Sequence, residues 1–388
     1  MSFLYKSASG REVQTSSYSA GSAYRRCPRW FKINRIDGYK EKKRSAAYEM
    51  GKVIESAIQF YHENGLKPGE CVDETKRLWL KLKDVDLVYT DQEQDFANAY
   101  HILADQARLY EIFLPTLPIK NPRFQLEYTK ELWPGSELGG LGDRAYVDML
   151  SILDDATRII IDIKDQRNPL SLTENLISLD PQLRRYAWLS GIQDVAFLWF
   201  VKAKASFKKG DTVTCLEDLN QFKAGDTPIV YKAETLEENG QVMLFLTTND
   251  VVQKMDEELD QIKGKGSTER KKETFDRYLS SGAFAVTPKE SVTKCRLQFV
   301  RGRIPEEVLP EIGEFIGHEV VTIRDSYQKN FWPQIPELRG LGSKCGTCPG
   351  LGICLGNDTL IEERLIKIKP KKEEEEKDWL SELEGDSE

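Results

Sequence analysis

The run Ile159-Ile160-Ile161-Asp162-Ile163-Lys164 constrains this chain more than any other stretch, because four isoleucines in six residues favour an extended strand. Side chains alternate across a strand, so Asp162 and Lys164 share one face. A carboxylate and an ammonium two residues apart at the end of an apolar strand suggest a site rather than simple solubility. Upstream, Phe124, Leu126 and Tyr128 alternate with Gln125 and Glu127, a Gly-rich approach leads into a strand reaching Leu150, and Leu153 to Thr157 make a turn. These strands form an antiparallel meander. Downstream, Asp180 as N-cap and Pro181 at the first helical position open a helix through Leu189, and Val195 to Ala203 returns as a buried strand. A helix from Ser45 to Asn64, with apolar residues at helical spacing, precedes the meander, and a second runs from about Asp91 to Phe113. The order helix, three strands, helix, strand gives an α/β core.

Gly142-Asp143-Arg144 lies on the strand before the isoleucine run, with Asp143 nineteen residues ahead of Asp162. Asp143 is expected to converge with Asp162, and two carboxylates so close repel unless a cation or a proton intervenes. Glu55, one helical turn after Gly51, supplies a third carboxylate, and Glu127 is equally suited to facing the site or to a structural role. Gln182 and Tyr186, at i and i+4, project from one helix face, where they can meet a phosphate or a base. Carboxylates that hold Mg²⁺ or Mn²⁺ and a cation that stabilises developing charge are what phosphodiester hydrolysis requires. Each feature alone has a bland reading: a solvated charge pair at a strand end, a surface Glu, a chance Gln/Tyr spacing. Their order along the chain is what gives them weight.

That order resembles the RecB-like PD-(D/E)xK nuclease family: Gly51-Lys-Val-Ile-Glu55 on a helix, Gly139-Gly-Leu-Gly142-Asp143-Arg144 on a strand, Asp162-Ile-Lys164 on the next, then Gln182-Leu-Arg-Arg-Tyr186 on a helix. The resemblance spans about Cys27 to Tyr186 plus a cysteine segment near the end. It implies a restriction-endonuclease-like core, a central mixed sheet flanked by helices. It also implies Glu55, Asp143 and Asp162 at Mg²⁺ or Mn²⁺, Lys164 as catalytic, and Arg144, Gln182 and Tyr186 against DNA. Many family members carry His where this chain has Glu55, and Glu where it has Asp162.

Seven cysteines make an odd number, and in a chain of 388 residues without a signal peptide a disulfide framework is not expected. Cys345, Cys348 and Cys354 form a Gly-rich C-x₂-C-x₅-C cluster, and Cys27 is the best candidate for a fourth thiolate. One cysteine before the core and three after it is similar to the iron–sulfur staple of the AddB-type and CRISPR-associated members of the RecB-like family. The resemblance implies a [4Fe–4S] cluster joining the N- and C-terminal segments. Zn²⁺ would accept the same four ligands, and free buried thiols are the remaining alternative.

Composition sets outer bounds. The net charge of -8 falls mostly on Lys371 to Glu388, where three lysines face nine carboxylates and leave the rest near -2. Global charge therefore neither supports nor excludes DNA, because a local basic groove and bound metal meet phosphates. No apolar run approaches a membrane span, so the cytoplasm is expected, and no Walker-type phosphate loop appears, so any helicase is a partner. The expected layout is a flexible arm over 1–22 and a nuclease domain over 23–355. That domain holds a helical insertion at 65–120 and an additional α/β region at 207–330, closed by the cluster at 345–354. An acidic disordered tail follows at 370–388. The expected activity is that of an exonuclease or DNA-end-processing enzyme of replication, recombination or repair, acting on single strands or ends. Its rivals are a non-catalytic nucleic-acid-binding or scaffold subunit and a zinc-stapled binding protein.

Overall fold

The computed structural model describes residues 4–7, 12–44, 46–84, 88–89, 93–134, 140–170, 174–203, 211–217, 220–225, 241–245, 249–288, 291–334 and 345–367. At its centre stands a six-stranded mixed sheet. Its strands are β1 (Thr15–Ser16), β2 (Ile119–Glu131), β3 (Gly142–Leu153), β4 (Arg158–Gln166), β5 (Asp194–Val201) and β6 (Arg296–Arg303). The strand order is β6-β5-β4-β3-β1, with β2 also paired to β3. Strands β4 and β5 are parallel, joined by a crossover through the helix Pro181–Ser190, whereas β2–β3, β3–β4 and β5–β6 are antiparallel.

Helical layers cover both faces of the sheet, which explains the unbroken apolar run. Ile159, Ile161 and Ile163 pack into one core with α2 (Ala46–Glu63), α3 (Glu70–Asp84) and α4 (Glu93–Phe113). Ile160 packs into the other core with α1 (Tyr18–Arg26), α5 (Pro181–Ser190) and α6 (Leu309–Gln328). A strand buried on both faces can be apolar at every position. The expected α/β class, with a central mixed sheet between helices, is therefore what the chain forms.

One strand departs from regular alternation. On β3, Ala145 and Val147 enter the core with α5, yet Met149 enters the core with α2. Two residues apart should share a face, so the alternation breaks at Asp148. Opposite it on β2, Gln125 has φ of 49°, a left-handed backbone that a non-glycine residue adopts at a cost. The β3–β4 ladder runs only from Ile152↔Arg158 to Met149↔Ile161, while the far end of β3 takes Thr15–Ser16 as its neighbour instead. Strands β3 and β4 part at that point.

Three boundaries differ from expectation. The expected flexible arm over 1–22 contributes a hairpin (Tyr5–Lys6 with Glu12–Val13), the edge strand β1 and most of α1, with Leu4 and Tyr5 buried. Its serines and tyrosines read as disorder in composition, but Ser17 caps α1 and Tyr24 bonds to Ser326 across the fold. The basic, Gly-containing stretch Lys263 to Lys272 reads in sequence as a linker or loop, yet it contains the start of a helix at Ser267–Ser280. The additional region expected at 207–330 divides in two: β6 and α6 complete the core, and only the five-stranded antiparallel sheet built from 212–293, with its two helices, is an addition. The turn at Glu238-Asn239-Gly240 and the tail at 370–388 lie outside the described residues. Among the described residues, no helix is long and apolar enough to cross a membrane.

Candidate active site

The gap between β3 and β4 exposes one side-chain cluster. Asp162 is fully buried, and its Oδ1 accepts a hydrogen bond from Gln182 Nε2 at 2.9 Å. Its Oδ2 has no hydrogen-bond partner and faces the Lys164 ammonium as an ion pair at 2.6 Å. Asp148 reaches into the space the ladder has vacated: its Oδ2 accepts the backbone N–H of Ile163 at 2.9 Å, and its carboxyl hydrogen-bonds that of Asp162. From α2, Glu55 joins the same electrostatic neighbourhood, its carboxylate held by Gln125 Nε2.

The protonation equilibria report crowding. Burial pushes the Glu55 carboxyl up to about 7, with the Asp162 charge adding to it. Burial, then Glu55, push Asp148 up to about 7. Asp162 is held well above the ordinary carboxylate range, first by burial. Lys164 is raised despite burial, because Asp162, Asp148 and Glu55 all favour its charged form. With all four groups ionised, three negative charges face one positive charge.

Of the sequence-predicted residues, Glu55, Asp162 and Lys164 meet as expected. Asp143 does not join them. It lies five residues further along β3, about 16 Å of extended chain, and Arg185 Nη2 and Nε clamp its carboxylate at 2.5 Å each. Arg185 also bonds Glu319 at 3.0 Å, and Arg25 closes the set from α1. Two carboxylates against two guanidiniums is a neutral network, buried at Asp143, Arg185 and Glu319 and open to solvent at Arg25. Asp148 takes the place that Asp143 was expected to fill. The signal for it was in the hairpin register: Leu153 N–H donates to Thr157 O across the turn, and counting outward five residues on each side sets Asp148 opposite Asp162. The same count sets Asp143 opposite Arg167, beyond Lys164.

Gln182 and Tyr186 also differ from expectation. Gln182 donates to Asp162 and to the Tyr186 hydroxyl (2.6 Å) and accepts from Lys164 (3.2 Å), while Tyr186 is almost fully buried. Their polar groups are engaged in holding the cluster, so they position it. Arg144 sits over the Tyr146 ring, 5.5 Å from its centroid, and 3.9 Å from Glu127 Oε1. Glu127 is exposed and accepts from Tyr146, which removes it from the acid cluster.

The four cysteines of the expected staple are neighbours, and none of the seven is in a disulfide. Cys27 joins α1 to the short helix Pro28–Phe31, and burial, Cys27 and Cys354 together raise the Cys348 thiol. Burial, Cys27 and Cys345 likewise raise Cys354, against the opposing charge of Arg29. Gly350 lies so close to Trp30 that an added Cβ would sit 2.7 Å from its ring. Leu365–Lys367 pairs with Tyr39–Glu41, so the C-terminal segment is bound to the N-terminal one by backbone as well.

Among the described residues, no group of three or more His, Cys, Asp or Glu side chains is arranged to hold a metal ion. The fit of a divalent ion to the acid cluster rests instead on donor chemistry. Two aspartyl groups and Glu55 crowd around one ammonium, and the buried Asp162 Oδ2 is met, among the described residues, only by that ammonium, at 2.6 Å. A hard dication suits such oxygens and would take the place of protons on them.

A mixed sheet between two helical layers, carrying acids and a lysine where two strands part, has the make-up of a metal-dependent nuclease core. A family model for the PD-(D/E)XK nuclease superfamily matches residues 15–300. The chain belongs to that superfamily. No curated protein matches it. Among solved structures, one titled "Crystal structure of SSO0001" is similar at 17% identity over 49% of this chain, with a TM-score of 0.22 that supports no structural argument. The match spans 63% of that structure's chain.

Proposed function

We propose that this protein is a Mg²⁺- or Mn²⁺-dependent DNA nuclease whose acids are Glu55, Asp148 and Asp162 and whose catalytic cation is Lys164. The convergence of these four side chains in the β3–β4 gap carries the reading. A bound dication would supply an acidified water and a Lewis acid for the phosphoryl oxygen. Lys164, kept protonated by its acidic neighbours, directs its ammonium at charge that develops on the phosphate. Gln182 fixes both Asp162 and Lys164, and Tyr186 anchors Gln182, so the strand end and α5 hold one geometry. Gln125 restrains Glu55 from the opposite side.

We further assign the enzyme to DNA ends, as an exonuclease or end-processing enzyme of replication, recombination or repair, with any helicase supplied by a partner. The family resemblance supports that assignment. Digestion of linear, circular and single-stranded DNA with Mg²⁺ or Mn²⁺ tests it. Wild-type protein is expected to degrade DNA from ends, and Lys164→Ala is expected to abolish cleavage without unfolding the protein. Cleavage retained in Lys164→Ala sinks this site, and no cleavage by wild type favours a non-catalytic binding subunit.

Cys27, Cys345, Cys348 and Cys354 are assigned to a [4Fe–4S] staple. The C-x₂-C-x₅-C spacing and the family resemblance support it, together with Cys27 acting on the Cys348 and Cys354 thiols electrostatically, since a metal stabilises clustered thiolates. Anaerobic purification should yield iron, sulfide and visible absorbance, and Cys348→Ala should lose both colour and melting temperature. Zinc in place of iron, or an unchanged melting curve, overturns the assignment.

A further inference from the structure

Beside the acid cluster lies a cavity of about 700 Å³. Its walls come from α1, from Trp30 after it, from β3 on the stretch that has left β4, and from Gln182 and Tyr186 of α5. Gln182 is the residue that holds Asp162 and Lys164, so the cavity adjoins the proposed catalytic centre directly. Four aromatic rings line it, from Tyr18, Trp30, Tyr146 and the buried Tyr186, and Tyr146 is 46% exposed despite its size. Two cations, Arg26 and Arg144, stand among the rings, the second stacked over Tyr146. Among the described residues that line it, none is a carboxylate. That is a local reversal in a chain whose net charge is -8.

We infer that this cavity is the binding groove for a single nucleic-acid strand, with bases stacked on Tyr146, Tyr18 and Trp30 and phosphates met by Arg26 and Arg144. The inference rests on the nuclease reading, since it names the form in which that reading's substrate arrives. Partly exposed rings beside guanidinium groups, with Arg144 on one face of Tyr146 and the other left for a base, suit unpaired bases, which offer a π-face regardless of sequence. A duplex keeps those faces inside its own stack and presents only its grooves and phosphates. The cavity also has room for a few stacked nucleotides and not for the width of a paired helix. Helix α1 thus does more than close the core: it forms one bank of the groove, and Gln182, which lines the groove and bonds Asp162, links the two.

The test measures binding apart from cleavage, by fluorescence anisotropy of a labelled single-stranded oligodeoxynucleotide on full-length Lys164→Ala protein in Mg²⁺. Adding Tyr146→Ala should weaken binding about tenfold or more, the scale of one lost base–aromatic stack. Tyr146→Phe keeps the ring and should bind like the parent. Arg144→Ala should lower both affinity and the salt dependence of binding, by about one unit of slope. Should Tyr146→Ala fail to fold, Tyr18→Ala gives the same reading from the opposite bank. Unchanged affinity in folded Tyr146→Ala and Tyr18→Ala overturns the groove, as does a blunt duplex that competes as well as the single strand. A matched RNA that binds more tightly than DNA through the same tyrosines supports the groove and overturns the DNA assignment. Wild-type protein that binds single strands through these residues yet cuts nothing supports the groove while the nuclease reading fails.

Discussion

Two acidic clusters use the same sheet, and both draw an aspartate from β3 and a polar partner from α5. Around Asp143, two carboxylates meet two guanidiniums in a neutral network, bidentate between Arg185 and Asp143 and exposed only at Arg25, that joins β3 to α5, α6 and α1. Around Asp148, three carboxylates meet one ammonium; burial pushes Glu55 and Asp148 up to about 7 and holds Asp162 well above the ordinary carboxylate range. The first arrangement is complete within the protein. The second carries excess negative charge when ionised, which protons offset and which the proposed dication would also offset. Five residues on one strand therefore separate an acid that stabilises from an acid that is held at a cost in stability.

The largest effect that would sharpen this contrast is on activity. Asp148→Asn should lower metal-dependent cleavage by at least about 10²-fold, while the melting temperature in chelator stays level or rises, because a crowded charge has been removed. A fall in melting temperature with activity intact would reverse the assignment of the two aspartates. Asp143→Asn should do the opposite. It leaves Arg185 buried without its charge partner, so chemical denaturation should show a loss of about 3–5 kcal/mol, with cleavage surviving at temperatures where the fold survives.

Proton linkage gives a third comparison. Glu55 and Asp148 hold their protons up to about pH 7 in the folded chain, whereas unfolded carboxyls release theirs near about pH 4. Between those limits the folded state binds more protons, so metal-free stability should fall as pH rises. Calorimetry in chelator should show that decline. Mg²⁺ or Mn²⁺ should oppose it by binding only the folded state, and Asp148→Asn should flatten it. A stability that rises from pH 5 to 7 would contradict the crowding.

The smallest expected effect concerns Gln125, whose side chain restrains Glu55 and whose backbone is left-handed. Gln125→Ala and Gln125→Gly should both reduce cleavage a few-fold. Only the alanine variant should lose about 1 kcal/mol more stability than glycine, since glycine accepts a positive φ freely. Equal stability of the two variants would remove strain from the account of that position.

The sequence by itself determined the α/β class, the spans of the main helices and strands, and three members of the acid–lysine cluster. Local physics is enough for these: helical spacing places Ala46–Glu63, the Asp180-Pro181 cap starts α5, and period two sets Asp162 and Lys164 on one face. Even Asp148 was within reach, because a tight hairpin fixes which residues oppose each other. A local motif, Gly142-Asp143-Arg144, outweighed that count. What only the tertiary structure decided was the use of each charge. Whether Asp143 finds Arg185 depends on α5 and α6 packing against β3, with Glu319 arriving from more than a hundred residues away. Whether β3 leaves β4 depends on β1 offering an alternative edge. Likewise, the N-terminal segment, polar enough to read as disorder, is ordered by what it covers rather than by its own propensity. Burial and partner choice are long-range outcomes, and a charge acquires its role from them.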